Sequence, residues 1–127
     1  MLLDTSGMKP IYIQIAEWIE AEILNGNFLP HDKVYSQYTL ADMFTINPAT
    51  AAKGLKLLAE ENILYSKRGL GKFVTPEAKE IIMDKRKNQT LKQLLEDVVV
   101  EAEQLKVDEQ ELMQLLQATI AKRKGRK

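Results

Sequence analysis

"FTINPATAAKGLKLLAEENILYSKRGLGKFV", residues 44–74, carries a helix start, a helix and a tight turn between two β-prone runs. Asn47 followed by Pro48 is a cap and a first-turn proline, and the helix they open is expected over residues 48–60. Leu55, Leu57 and Leu58 supply its apolar surface, and Ala49, Ala52, Lys53 and Lys56 share the opposite face. ILYS and KFVT then have the β-branched and aromatic content of strands, joined by the glycines of KRGLG. Upstream, Ser36 is a plausible cap for SQYTLADMF, with Leu40, Met43 and Phe44 facing inward. Two short helices joined by so brief a turn must cross steeply, which is the helix-turn-helix arrangement. A hairpin directly after it makes a winged helix.

Working outward, IYIQIAEWIEAEILNG follows Pro10 and repeats apolar residues at Tyr12, Ile15, Ala16, Ile19 and Ile23, a helical stripe stopped at Gly26. NFLPHD reads as a turn and KVY as a short extended link, with His31 at the surface; Trp18, Tyr12 and Tyr65 read as core or rim. Thr75, Pro76 and Glu77 form a further start signal, with Thr75 as cap. From residue 77 onward no glycine occurs before Gly125. Apolar residues recur at Leu91, Leu94, Leu95, Val98, Val99, Ala102 and Leu105, the i, i+3, i+4, i+7, i+8 spacing of one helical stripe. Thr90 with Gln93 is a candidate cap and kink. Asp108 with Glu111 is a stronger capping box, opening a last helix with Leu112, Leu115, Leu116 and Ile120 on one side. The expected division is residues 1–76 as a winged helix-turn-helix domain and 77–127 as a helical segment with a basic tail, KRKGRK. The fold class is mainly α.

Composition bounds the function. Hydrophobic residues at 45% and charged residues at 28% fit a globular chain, and the apolar runs are too short to cross a bilayer. The N-terminus has no export signal, so a cytoplasmic protein with no membrane partner is expected. Eighteen basic and eighteen acidic residues cancel, so bulk charge names no partner. Their distribution is more informative: residues 53–72 hold Lys53, Lys56, Lys67, Arg68 and Lys72 against Glu60 and Glu61. With no cysteine, a single histidine and no paired nucleophile and base, catalysis and metal binding have no visible home, and no cofactor is expected.

The element order and the residues PIYIQ, Leu40-Ala41, Asn47-Pro48 with Thr50, and Gly69 with GKFV resemble the GntR family of bacterial transcription regulators over about residues 9–75. The short remainder resembles its YtrA-type branch, whose tail is a pair of dimerising helices and whose members commonly repress transporter operons. The resemblance implies a DNA operator as partner. It places contacts at Ser36, Tyr38, Asn47, Ala49, Thr50, Lys53, Lys56, Lys67, Arg68, Gly69 and Gly71. Helix 48–60 would enter the major groove and turn 67–71 would lie beside the minor groove. Tyr38 stands where the family usually has an arginine, and Ala49 where it often has a second asparagine. Leu91, Leu94, Leu95, Val98, Val99, Leu112, Leu115 and Leu116 are the expected dimerisation residues of a homodimer.

Each feature has a plainer reading: lysines on a solvated helix face, a purely structural hairpin, tail helices packed within one chain, or a disordered basic tail. Gly69-x-Gly71 also resembles part of a phosphate loop, but such loops lead into a helix and here a strand follows. A protein-interaction module without an operator is the rival function. A small-molecule effector bound between winged helix and tail is a third element of the reading, although no residue cluster marks its site.

Overall fold

Ile15, Ala16, Ile19 and Ile23 form the buried stripe of helix α1 (Ile11–Leu24), against which the rest of the first unit is assembled. The computed structural model describes residues 3–126 except Ser6 and Met8. Helix α2 (Gln37–Phe44) starts where the Ser36 hydroxyl accepts the Thr39 N–H at 3.1 Å, and it buries Leu40, Ala41 and Phe44. It ends on Thr45 at φ 56°, a left-handed conformation uncommon for a β-branched residue, where Ile46 N–H closes onto the Ala41 carbonyl. Helix α3 (Pro48–Glu60) follows, with Asn47 Oδ1 accepting the Ala49 N–H at 2.8 Å. The cap and first-turn proline therefore act as their sequence positions imply.

Helix α3 lies against α1 through Ala51, Gly54, Leu55 and Leu58, all buried. A Cβ on Gly54 would stand 2.8 Å from the Tyr12 carbonyl oxygen and 3.3 Å from Ile15 Cβ. A glycine here costs the isolated helix about 1 kcal/mol. It is what lets the two backbones approach.

Strands β1 (Leu64–Lys67) and β2 (Gly71–Val74) pair antiparallel in the register Leu64↔Val74, Tyr65↔Phe73, Ser66↔Lys72 and Lys67↔Gly71. The extended link before α2 adds a bridge, Lys33↔Phe73, with Val34 N–H donating to the Lys72 carbonyl. Thr75 does not cap a helix. Its hydroxyl donates to the Asn62 carbonyl at 2.8 Å, tying the exit of the hairpin to the end of α3, and α4 (Ala78–Lys85) begins one turn later. Its buried residues, Ala78 and Ile82, join the core of Ile15, Ile19, Leu40, Leu58, Ile63, Leu64 and Val74.

The chain divides into two compact units, residues 1–85 and 86–127. The first reaches beyond the expected boundary at 76/77 because α4 completes its core. Glu20 of α1 is 2% exposed and meets Lys85 at the end of α4, while Glu61 at the end of α3 takes a second hydrogen bond from the same ammonium at 3.1 Å. Burial lifts the Glu20 carboxyl above the usual carboxylate range, although Lys85 pulls it back. Burial likewise opposes the charge on Lys85, but its bonds to Glu20 and Glu61 prevail and raise it.

The second unit opens with π-helical turns (Arg86–Leu91), not with a Thr90 cap. No side chain caps α5 (Lys92–Gln104), and Gln93 donates instead to Asp97. Helix α6 (Glu109–Lys124) is capped by Asp108 Oδ1, which accepts the Glu111 N–H at 2.8 Å.

Candidate nucleic-acid interface

Because α3 buries Ala51, Gly54, Leu55 and Leu58, its opposite face is fixed by the 3.6-residue period. Ala49, Lys53 and Lys56, at i, i+4 and i+7, are exposed, with Thr50 half-buried beside them. At the N-terminal end of this face the exposed Ala49 offers only a methyl group. Lys53 Nζ sits 4.2 Å from the Tyr12 ring centroid, so the cation is steadied by a residue of α1 that sequence reading assigned only to the core or rim.

The N-terminus of α2 adds Ser36 and Tyr38. The Ser36 hydroxyl is committed to its cap and to Thr39, whereas Tyr38 is 67% exposed. Asn47 is likewise committed through Oδ1 to the first turn of α3.

The hairpin supplies a third element. Leu70 N–H closes a turn onto the Lys67 carbonyl at 2.9 Å, with Gly69 at φ 78°, the positive angle that a type II turn requires at its third residue. Lys67 Nζ lies 4.8 Å from the Phe73 ring centroid, and Phe73 stacks on Tyr65, so the stem beneath the tip is braced by aromatic contacts. Lys72 donates to Ser66 Oγ at 2.8 Å and is half-buried, which takes it out of the exposed cationic set; Arg68 remains exposed. Two features escaped the sequence reading. Gly54 had a signal, a lone glycine within a helical pattern, while the exposure of Leu70 had none.

In the second unit, Leu91, Leu94, Leu95, Val98, Val99, Leu115 and Leu116 are exposed and Leu112 is half-buried. An apolar groove of about 410 Å³ runs between α5 and α6, lined by Leu94, Val98, Ala102, Leu105, Leu112 and Leu115. Among the described residues no group of three or more potential ligands is placed to hold a metal ion, and no helix is long and apolar enough to cross a membrane.

The family model described as "Bacterial regulatory proteins, gntR family" matches residues 11–74, which span α1 to the end of β2. The HTH-type transcriptional repressor YtrA of Bacillus subtilis (strain 168) is 30% identical over 125 residues, covering 98% of this chain and 95% of that protein. The chain belongs to the GntR family. A GntR-family transcriptional regulator from Listeria monocytogenes superposes with a TM-score of 0.72 at 33% identity, over 91% of this chain and 98% of its own. The AraR DNA-binding domain in complex with operator ORX1 superposes with a TM-score of 0.56 at 30% identity, over 59% of this chain and 95% of that domain. This GntR-family chain is thus a winged helix-turn-helix DNA-binding regulator of transcription.

Proposed function

We propose that the protein is a homodimeric repressor that binds a pseudo-palindromic operator, with α3 in the major groove and the hairpin tip beside the minor groove. The observation that carries this reading is the exposed face of α3, where Ala49, Lys53 and Lys56 line up opposite the buried stripe. Ala49 leaves room for base edges near the helix start. The Thr50 hydroxyl suits a phosphate, and the two lysines suit phosphates or guanine. Tyr38 would meet the backbone from α2, with Ser36 and Asn47 holding the starts of α2 and α3 in place. Lys67, Arg68 and the glycines Gly69 and Gly71 would follow the strand from the hairpin.

Two further observations support the wider claim. The relative YtrA is itself a transcriptional repressor, and the AraR domain, which covers the same winged helix, is bound to its operator. One winged helix reads one half-site, and the exposed apolar stripes of α5 and α6 give a second copy a surface to cover. Repression follows if the operator overlaps a promoter. The resemblance to the short branch of the family makes a transporter operon the target to test first.

The test is selection of bound sequences from a random duplex pool, followed by a salt titration on the winner. A palindromic consensus whose affinity falls steeply with salt is expected, because Lys53, Lys56, Lys67 and Arg68 would displace counterions. No enrichment would replace the operator reading with a protein-interaction module. Salt-independent binding would remove the cationic contacts from the mechanism.

A further inference from the structure

Leu70 occupies the tip of the hairpin, the place where an apolar side chain gains least from the fold. It is 59% exposed although Leu64 and Val74, at the base of the same hairpin, are almost wholly buried. Its neighbours on both sides are glycines at positive φ, Gly69 at 78° and Gly71 at 112°, and Gly69 has nothing within 4 Å of the position a Cβ would take. The isobutyl group therefore projects between two residues without side chains. Lys67 and Arg68 precede it, and the Tyr65–Phe73 stack with Lys67 above it braces the stem.

The geometry points to Leu70 as an apolar probe of the minor groove, selecting A·T pairs where the wing meets the operator. This rests on the operator reading above and goes beyond it by assigning a specificity-determining residue. The minor groove is about 6 Å wide, and its floor differs between pairs chiefly by the guanine 2-amino group. A leucine offers that amino group no acceptor and would strip its water. Over A·T pairs the same side chain meets a floor without the protruding group. Minor-groove binders do place apolar side chains in the groove, although as wedges between base steps; here the side chain would rest on the groove floor, with the flanking cations towards the phosphates on either side. The bare flank at Gly69 lets the backbone come close enough for so short a side chain to reach, while at Gly71 the corresponding space is taken by the Lys33 side chain.

The experiment uses the full chain and the operator recovered by selection. Each A·T pair flanking the major-groove half-site is replaced in turn by G·C or by inosine·C. Inosine·C keeps the major-groove face of G·C but lacks the 2-amino group. At one flanking position per half-site, the wild-type protein should lose about tenfold in affinity on G·C and recover most of it on inosine·C, while Leu70→Ala should bind the three duplexes within about twofold of one another. Wild-type binding that treats inosine·C like G·C at every flanking position, or a Leu70→Ala variant that keeps the full discrimination, would overturn the assignment and leave operator binding intact. A chain that enriches no duplex would overturn both readings. Because Leu70 is exposed, thermal unfolding of Leu70→Ala should match the wild type, which separates a lost contact from a lost fold.

Discussion

The two units use their apolar residues in opposite ways. Residues 1–85 place Ile15, Ile19, Leu40, Leu58, Ile63, Leu64, Val74 and Ile82 in one core, and their buried carboxylate, Glu20, has a partner. Residues 86–127 have comparable helical stripes, yet Ala102 is the one buried residue that α5 and α6 contribute among the described residues. An exposed series of this size in a small unit marks an interaction surface. The contrast teaches that an amphipathic pattern reports a face to be covered but does not say by what. In the first unit the chain covers its own faces; in the second we assign that task to another copy.

The sharpest way to break this contrast is to charge the second unit alone. Leu94→Glu with Val98→Glu should convert the proposed dimer to a monomer by sedimentation and lower operator affinity by about 100-fold or more, because the second half-site is no longer tethered. Amide exchange in α1 to α3 should stay unchanged. A variant that remains dimeric would return these residues to intrachain packing.

Next in size is Lys85→Met, which leaves Glu20 buried without its cation and should cost the first unit about 3 kcal/mol at neutral pH. The sign of its pH dependence follows from Glu20. Its carboxyl is raised in the folded state and rises further without Lys85, so the folded form takes up a proton before the unfolded form does. Stability of the variant should therefore recover as pH falls from 7 towards the ordinary glutamate range, and decline as pH rises through the folded value. Denaturant titrations at several pH values check this, and a deficit constant with pH would mean that Glu20 is not the group responsible.

Gly54→Ala should cost about 2 kcal/mol, since its Cβ would overlap the Tyr12 carbonyl and crowd Ile15. The helix-propensity gain of about 1 kcal/mol is too small to offset the forced separation of α1 and α3. A stabilised variant would show that the two helices adjust freely. The smallest effect belongs to Tyr38→Arg. The side chain is exposed, so unfolding should hardly change, while a charge-assisted phosphate contact should tighten operator binding by about three- to tenfold. Abolished binding would mean that α2 docks in another pose.

Much of this was legible because the signals are local. Ser36, Asn47-Pro48 and Asp108 act through bonds to N–H groups two or three residues away, so their sequence positions suffice to place α2, α3 and α6. The same logic overreached at Thr75 and at Thr90. A hydroxyl that the local pattern offers to a helix start is drawn at Thr75 to a carbonyl thirteen residues away, and at Thr90 the backbone passes into π-helical turns without a side-chain cap. The first unit extends past residue 76 for a related reason, since Ile82 is buried in a core that includes α1, an element no spacing rule connects to it.

By itself the sequence determined the order of helices and strands, the cationic residues around α3 and the turn, and the apolar periodicity of the tail. These depend on bonds and side-chain periods spanning a few residues. Only the tertiary structure decided that Gly54 is a point of closest approach and that Lys85 closes a cluster with Glu20 and Glu61. It alone showed that Lys72 is turned to Ser66 and that Leu70 stands out in solvent. Each of those outcomes depends on which distant groups arrive beside a residue, and burial and charge pairing take their sign from that arrival.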